Sequence, residues 1–285
     1  MLIPVLLFFG IFHYWPMYGV QIAFKRFSPM RGILGSEWVG FEHFERFFQS
    51  FYFMRLLLNT IGISLYELAV AFPIPILLAL MIHEVSSKKF KRTVQTVTYA
   101  PHFLSVVVLV GMMTTFLAPT TGIVNHLLDW MGLNRISFMT EPAWFKTLFV
   151  SSHVWQNAGW SSIIYIAALS GIDPQMHEAA AIDGATRIQR IWHINLPGIS
   201  STIVILLILN IGTIMNVGFE KIFLMQNDLN ISASDVFATY VYRSGILGAQ
   251  YSFAAAVGLF NSIVNLILLV VVNLTARRLS GNSLW

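Results

Sequence analysis

Residues 151–169 read SSHVWQNAGWSSIIYIAAL. Within them, Trp155, Gln156, Asn157, Trp160, Ser161 and Tyr165 set aromatic faces beside amides and hydroxyls. Sugars present apolar ring faces and many hydroxyls, and this is the side-chain chemistry that recognises them. The competing reading is an aromatic belt at a membrane surface with hydrogen bonds between helices. Depth favours the belt for Trp155, and less so for Trp160 and Tyr165. Asn210 and Asn216 place amides in a second apolar stretch, and Glu67 places a carboxylate in a third, within SLYELAVAF. A lone charge there costs on the order of 3 kcal/mol on insertion scales, so it must face protein or water. Glu67 therefore either holds two helices together or lines a pathway. The pathway candidates are Glu67, Asn157, Trp160, Tyr165, Asn210 and Asn216.

Other chemistry is poorly supplied. The eight histidines show no metal-ligand spacing, and His13 and His153 read as span-end or packing residues; the chain has no cysteine. Disulfides and thiolate metal sites are thereby excluded. No Ser-His-Asp set or carboxylate pair is arranged for catalysis. The net charge of +4 is small and dispersed, which gives no face for nucleic acid.

These residues must be positioned by membrane helices. Of 285 residues, 56% are hydrophobic and only 11% are charged, a balance that points to a multi-pass membrane protein. Six apolar stretches, at about 2–24, 55–83, 94–118, 144–171, 199–223 and 253–276, are each long enough to span. Backbone groups in lipid must be satisfied within the segment, so these stretches are expected to be helical. Pro73 and Pro75 should kink the second, and Ala100-Pro101 should bend the start of the third. The apolar run starting at Leu2 has no basic region before it and no small-residue cleavage site after it, so no cleavable signal peptide is read. A short polar or basic tail would be expected ahead of such a span.

The joints alternate. Three short ones, 84–93, 173–198 and 277–285, carry eight Lys/Arg and four acidic residues. Three longer ones, 25–54, 119–143 and 220–252, carry nine basic and eight acidic residues when counted with their flanks. Basic density in short loops marks the cytoplasmic side, so both termini are expected in the cytoplasm. The longer joints suit small elements lying on the opposite surface.

One short joint has a composition of its own. Residues 178–197 read EAAAIDGATRIQRIWHINLP. Asp173 is placed to cap the preceding helix, with Pro174 at its first position. Gly184 permits a bend. A second helical run follows, with Ile188, Ile191, Trp192 and Leu196 on one face. Read from the residues alone, this is a bent helix pair with a small-residue face and an apolar face, and a solvated surface turn is the competing account.

The order Glu-Ala-Ala, Asp-Gly-Ala, then Leu-Pro closely resembles the EAA loop of binding-protein-dependent ABC importer permeases. Trp192 stands where that family often has another aromatic. The stretches WPMYGVQIAFKRFSP and VFATYVYRSGILGAQYSFAAAVGLF resemble the carbohydrate branch. Within it they are most similar to the subgroup that imports oligosaccharides derived from polysaccharides, alginate among them. The resemblance implies an all-α, six-helix type I importer permease, one transmembrane domain over 1–285, in a bacterial inner membrane. It implies that Glu178, Ala179, Ala180, Asp183, Gly184, Ala185 and Pro197 form the coupling helix contact with a cytoplasmic ATPase. It further implies a second permease subunit in a heterodimer, two ATPase subunits and an extracytoplasmic solute-binding protein that delivers an oligosaccharide. No phosphate-binding loop is present, and no Gly precedes a Lys anywhere. ATP and Mg are therefore assigned to the partner ATPase, with no cofactor and no catalysis on this chain. The rivals are an importer permease for a different solute, a secondary transporter driven by an ion gradient, and a membrane-embedded enzyme. The second usually needs several intramembrane ionisable residues, and the sequence offers essentially Glu67.

Overall fold

A computed structural model describes residues 2–280; the end of the short joint 277–285 therefore lies outside the described residues. The described residues are mostly helical, with one two-stranded hairpin among them that pairs Lys25 with Trp38 and Arg26 with Glu37. Among the described residues, three helices are long and apolar enough to cross a membrane: Ile3–Phe24, Tyr52–Glu84 and Tyr251–Arg278. The second of these is interrupted at Phe72, where Pro73 begins a fresh helical segment, as the prolines predict. A fourth helix, Pro142–Ser170, has 29 residues. At a rise of 1.5 Å per residue it is about 43 Å long. It is less apolar than the others because its inner face buries Ser152, Gln156 and Ser162.

Two segments depart from the straight spans expected of the sequence. The third starts at Lys88, not 94, and breaks by 98° between Lys88–Phe103 and Val106–Phe116. Pro101 sits in the short 3-10 turn at the break, and Ser105 caps the second limb by accepting from the Val108 N–H at 3.3 Å. The bend is far larger than a proline kink because Leu104 is extended and the ladder restarts after it. The fifth segment bends by 60° at Ile199. Its helix, Ser200–Gly212, ends eleven residues before 223. A turn follows, and helix Phe219–Met225 then packs back into the bundle, contributing Ile222 and Met225 to a core with Ile63, Phe145, Phe149 and Val150. Asn216 therefore lies in a turn and not inside a helix.

The two classes of joint gather at opposite ends. Asn59 donates to Ser232 and Asp235 carbonyls, Arg46 to Gln250, and Asn227 and Asn230 to the Met139 carbonyl, which ties 25–54, 119–143 and 220–252 together. At the other end Asn195 donates to Glu84 at 3.2 Å, and His177 lies 6.0 Å ring to ring from His83. The first helix buries none of its most apolar window, and its end packs Ala23 and Phe24 against Phe44, Ala255 and Ala256.

Candidate functional site

A cavity of about 510 Å³ opens between the second, fourth and fifth segments. Of the six pathway candidates, Glu67, Trp160, Tyr165, Asn210 and Asn216 all line it. The turn after Gly212 is what brings Asn216 there. Its position is fixed on two sides: Ser64 donates to the Ile214 carbonyl, and Asn265 accepts from the Met215 N–H at 3.0 Å. Non-helical backbone at such a place is tolerated where partners or a water-lined cavity satisfy it. Asn261 donates to Asn216 at 2.9 Å, which orients the amide. Asn210 donates to its own helix at the Leu206 carbonyl, 2.8 Å away, and its side-chain oxygen makes no hydrogen bond among the described residues.

Glu67 is not alone. His153, read from sequence as a span-end or packing residue, lies 3.2 Å from it across two helices and lines the same cavity. Lys221 is buried behind them, donating to the Phe149 carbonyl at 2.9 Å with its ammonium 4.7 Å from the Phe149 ring centre. The sequence reading missed both roles. Lys221 fell at the edge of an apolar stretch that in fact folds back.

Asn157 sits apart from the other five candidates. It does not line the cavity; it lies 3.0 Å from His102 at the break of the third segment and donates to the His153 carbonyl. Gln156 does related work, donating to the Leu104 carbonyl at 2.9 Å and satisfying a backbone group left free by the bend. Much of the polarity of SSHVWQNAGW thus serves helix packing. Trp160 serves both ends: its ring stacks on His102 at 4.5 Å and 5°, and it lines the cavity while remaining 43% exposed. Tyr165 lines the cavity while 97% of its surface is buried, 3% remaining exposed, in a core with Ile76, Leu80, Leu169 and Ile199. Between the third and fourth segments the backbones touch. A Cβ on Gly159 would collide with the Thr98 carbonyl, so only glycine allows that crossing.

The joint 173–198 forms the second site. Asp173 accepts from the Gln175 N–H at 2.9 Å and caps helix Pro174–Ile182, as its sequence predicts. Gly184 has a φ of +77°, the left-handed region open to glycine. Thr186 and Gln189 then form a reciprocal capping box that starts Arg187–Arg190. The expected apolar stripe splits, because residues 191–195 form a wider π turn that changes the phase. Ile191 and Leu196 pack inward, whereas Ile188 and Trp192 face out. Of the motif residues, Ala180, Asp183, Gly184 and Ala185 line a concavity of about 330 Å³, and Glu178, Ala179 and Pro197 lie exposed outside it.

A bent-helix bundle with an internal polar cavity and a capped, protruding helix pair is the architecture of a membrane-embedded transport subunit. The chain belongs to the family described as binding-protein-dependent transport system inner membrane components, whose model matches residues 71–281. It is 45% identical to Protein LplB of Bacillus subtilis (strain 168), over all of this chain and 90% of that one. It is 43% identical to the polygalacturonan/rhamnogalacturonan transport system permease protein YteP of the same organism, over all of this chain and 89% of that one. Among solved structures, a chain of a bacterial alginate ABC transporter in complex with an alginate pentasaccharide-bound periplasmic protein superposes with a TM-score of 0.93. That match is at 44% identity and covers all of this chain and 95% of the other. The type I permease fold expected from the EAA-like loop is thus the observed fold.

Proposed function

We propose that this chain is one transmembrane half of an ATP-driven importer that translocates an oligosaccharide delivered by a solute-binding protein. The observation that carries the proposal is the cavity, where the exposed ring of Trp160 stands beside Glu67, His153, Asn210 and Asn216. An aromatic platform next to amides and a carboxylate suits a saccharide. YteP, a polygalacturonan/rhamnogalacturonan transport permease, and the alginate transporter support a polysaccharide-derived oligosaccharide. The partners we assign are a second permease in a heterodimer and two cytoplasmic ATPase subunits that bind ATP and Mg. The short joints and both termini face the cytoplasm, and the binding protein docks on the longer joints.

The joint 173–198 transmits the ATPase movement. Glu178 and Ala179 are exposed for contact, Gly184 sets the bend, and Pro197 opens the following span. The Asn195–Glu84 hydrogen bond ties this joint to the end of the second segment, whose helix also carries Glu67 in the cavity wall. Nucleotide binding then acts by favouring one of two arrangements of the spans, without chemistry on this chain. The test uses purified complexes carrying Glu178→Lys or Gly184→Pro. Each should lose stimulation of ATP hydrolysis by loaded binding protein while that protein still binds. Full stimulation in both would remove residues 173–198 from the transmission path.

A further inference from the structure

The concavity in the 173–198 joint holds a cation without a partner. Arg190 lines it with Asp183, Gly184, Gln189 and His193. The Arg190 Nε is buried and has no hydrogen-bond partner, and no ion pair to its guanidinium is found among the described residues. Asp183 shares the concavity yet makes no ion pair with it. His193 is engaged with the Gln189 carbonyl at 2.9 Å. A guanidinium donor shielded from water and left unpaired is costly, so the isolated chain presents an incomplete site.

The surroundings indicate what completes it. Ile182, Ile188 and Trp192, each next to or two residues from a lining residue, are 87%, 68% and 64% exposed. A free anion would neutralise the guanidinium and leave these apolar side chains as they are. A protein surface would cover them and exclude water around the charge. Arg and Trp ringed by apolar contacts are the composition of an interface hot spot.

We propose that this concavity receives an acidic side chain of the ATPase subunit, with Arg190 as the cation that pairs with it. The proposal rests on the coupling role assigned above and adds a contact of opposite polarity to Glu178. Glu178 projects a negative charge from the permease; Arg190 accepts one into it. Two contacts of opposite sign fix the rotation of the docked helix pair as well as its position, which a single charge contact does not.

The experiment uses the assembled importer carrying Arg190→Lys or, separately, Gln189→Lys, treated with a carbodiimide that joins an amine to a carboxylate in direct contact. Both variants should yield a cross-link from this position to one Asp or Glu of the ATPase, located by mass spectrometry of the joined peptides. Arg190→Gln should lower stimulated ATP hydrolysis about tenfold, equivalent to about 1.4 kcal/mol, and Arg190→Lys should recover most of it. A cross-link to Asp183 of the same chain, or no cross-link to the ATPase from either variant in an intact complex, overturns the proposal. Failure of the ATPase to co-purify with the unaltered chain would instead refute the coupling role itself.

Discussion

Asp235 is fully buried, at 0% exposure, between two arginines. Its carboxylate accepts from Arg55 at 2.8 Å and from Arg243 at 2.8 and 3.1 Å, with the Thr239 hydroxyl at 3.3 Å. Arg55 begins the second span and Arg243 lies in the 220–252 joint, so the carboxylate clamps the joint to the span. Asp235→Ala removes the only anion of the triad and leaves two like charges facing each other. Breaking a buried pair costs about 3–5 kcal/mol. The arginine side chains are 26% and 36% exposed, however, so water partly compensates them. The expected loss is therefore roughly 2–3 kcal/mol. The control is Asp129→Ala. Asp129 also pairs with an arginine, Arg135, which holds its carboxyl below the usual range by hydrogen bonding, but both side chains are 43% exposed. That pair is screened by water and should contribute little. Thermal unfolding of the purified detergent-solubilised complexes, followed by tryptophan fluorescence, measures both. Equal midpoints for the two variants would refute the clamp.

Three further outcomes are expected. Trp160→Ala and Asn210→Ala should weaken uptake while leaving assembly with the ATPase intact; normal uptake by both over a range of substrate concentrations would show that the cavity wall they form is not the pathway. Gly159→Leu should prevent close approach to Thr98 and lower the unfolding midpoint, whereas Gly10→Leu, where nothing lies within 4 Å of an added Cβ, should not. Single cysteines at Ser87 and Thr186 should be shielded from an impermeant thiol reagent added outside, and one at Met30, which is 97% exposed in the joint 25–54, should react; labelling at Ser87 in intact spheroplasts would reverse the orientation.

The helical class, the membrane spans and the bent joint were legible because each rests on local signals. Apolar length set the spans, Asp173-Pro174 set a helix start, and Asp183-Gly184 set a bend. The 98° break at Leu104 and the fold-back after Gly212 were not legible at full size. Pro101 announces a bend but not its angle, which depends on Gln156, Asn157 and Trp160 of another helix holding it. The residues 213–223 are apolar enough to continue a span, and what ends the helix is tertiary: Ser64, Asn261 and Asn265 hold the turn. For the same reason the partners of Glu67 were invisible. His153 is 86 positions away in sequence, and only the packing of two helices brings it within 3.2 Å. The Arg55–Asp235–Arg243 triad is likewise assembled across 180 positions.

The most direct test of an ATP-driven importer is uptake into sealed proteoliposomes holding this chain, its partner permease and the ATPase. ATP is enclosed, and the oligosaccharide carried by the binding protein is supplied outside on that protein, with no ion gradient present. Accumulation should require ATP and stop with vanadate, because the energy comes from nucleotide-driven rearrangement transmitted through residues 173–198. Accumulation that proceeds without ATP when a proton or sodium gradient is imposed, and that ignores vanadate, would contradict the account and return Glu67 and His153 to the role of an ion relay.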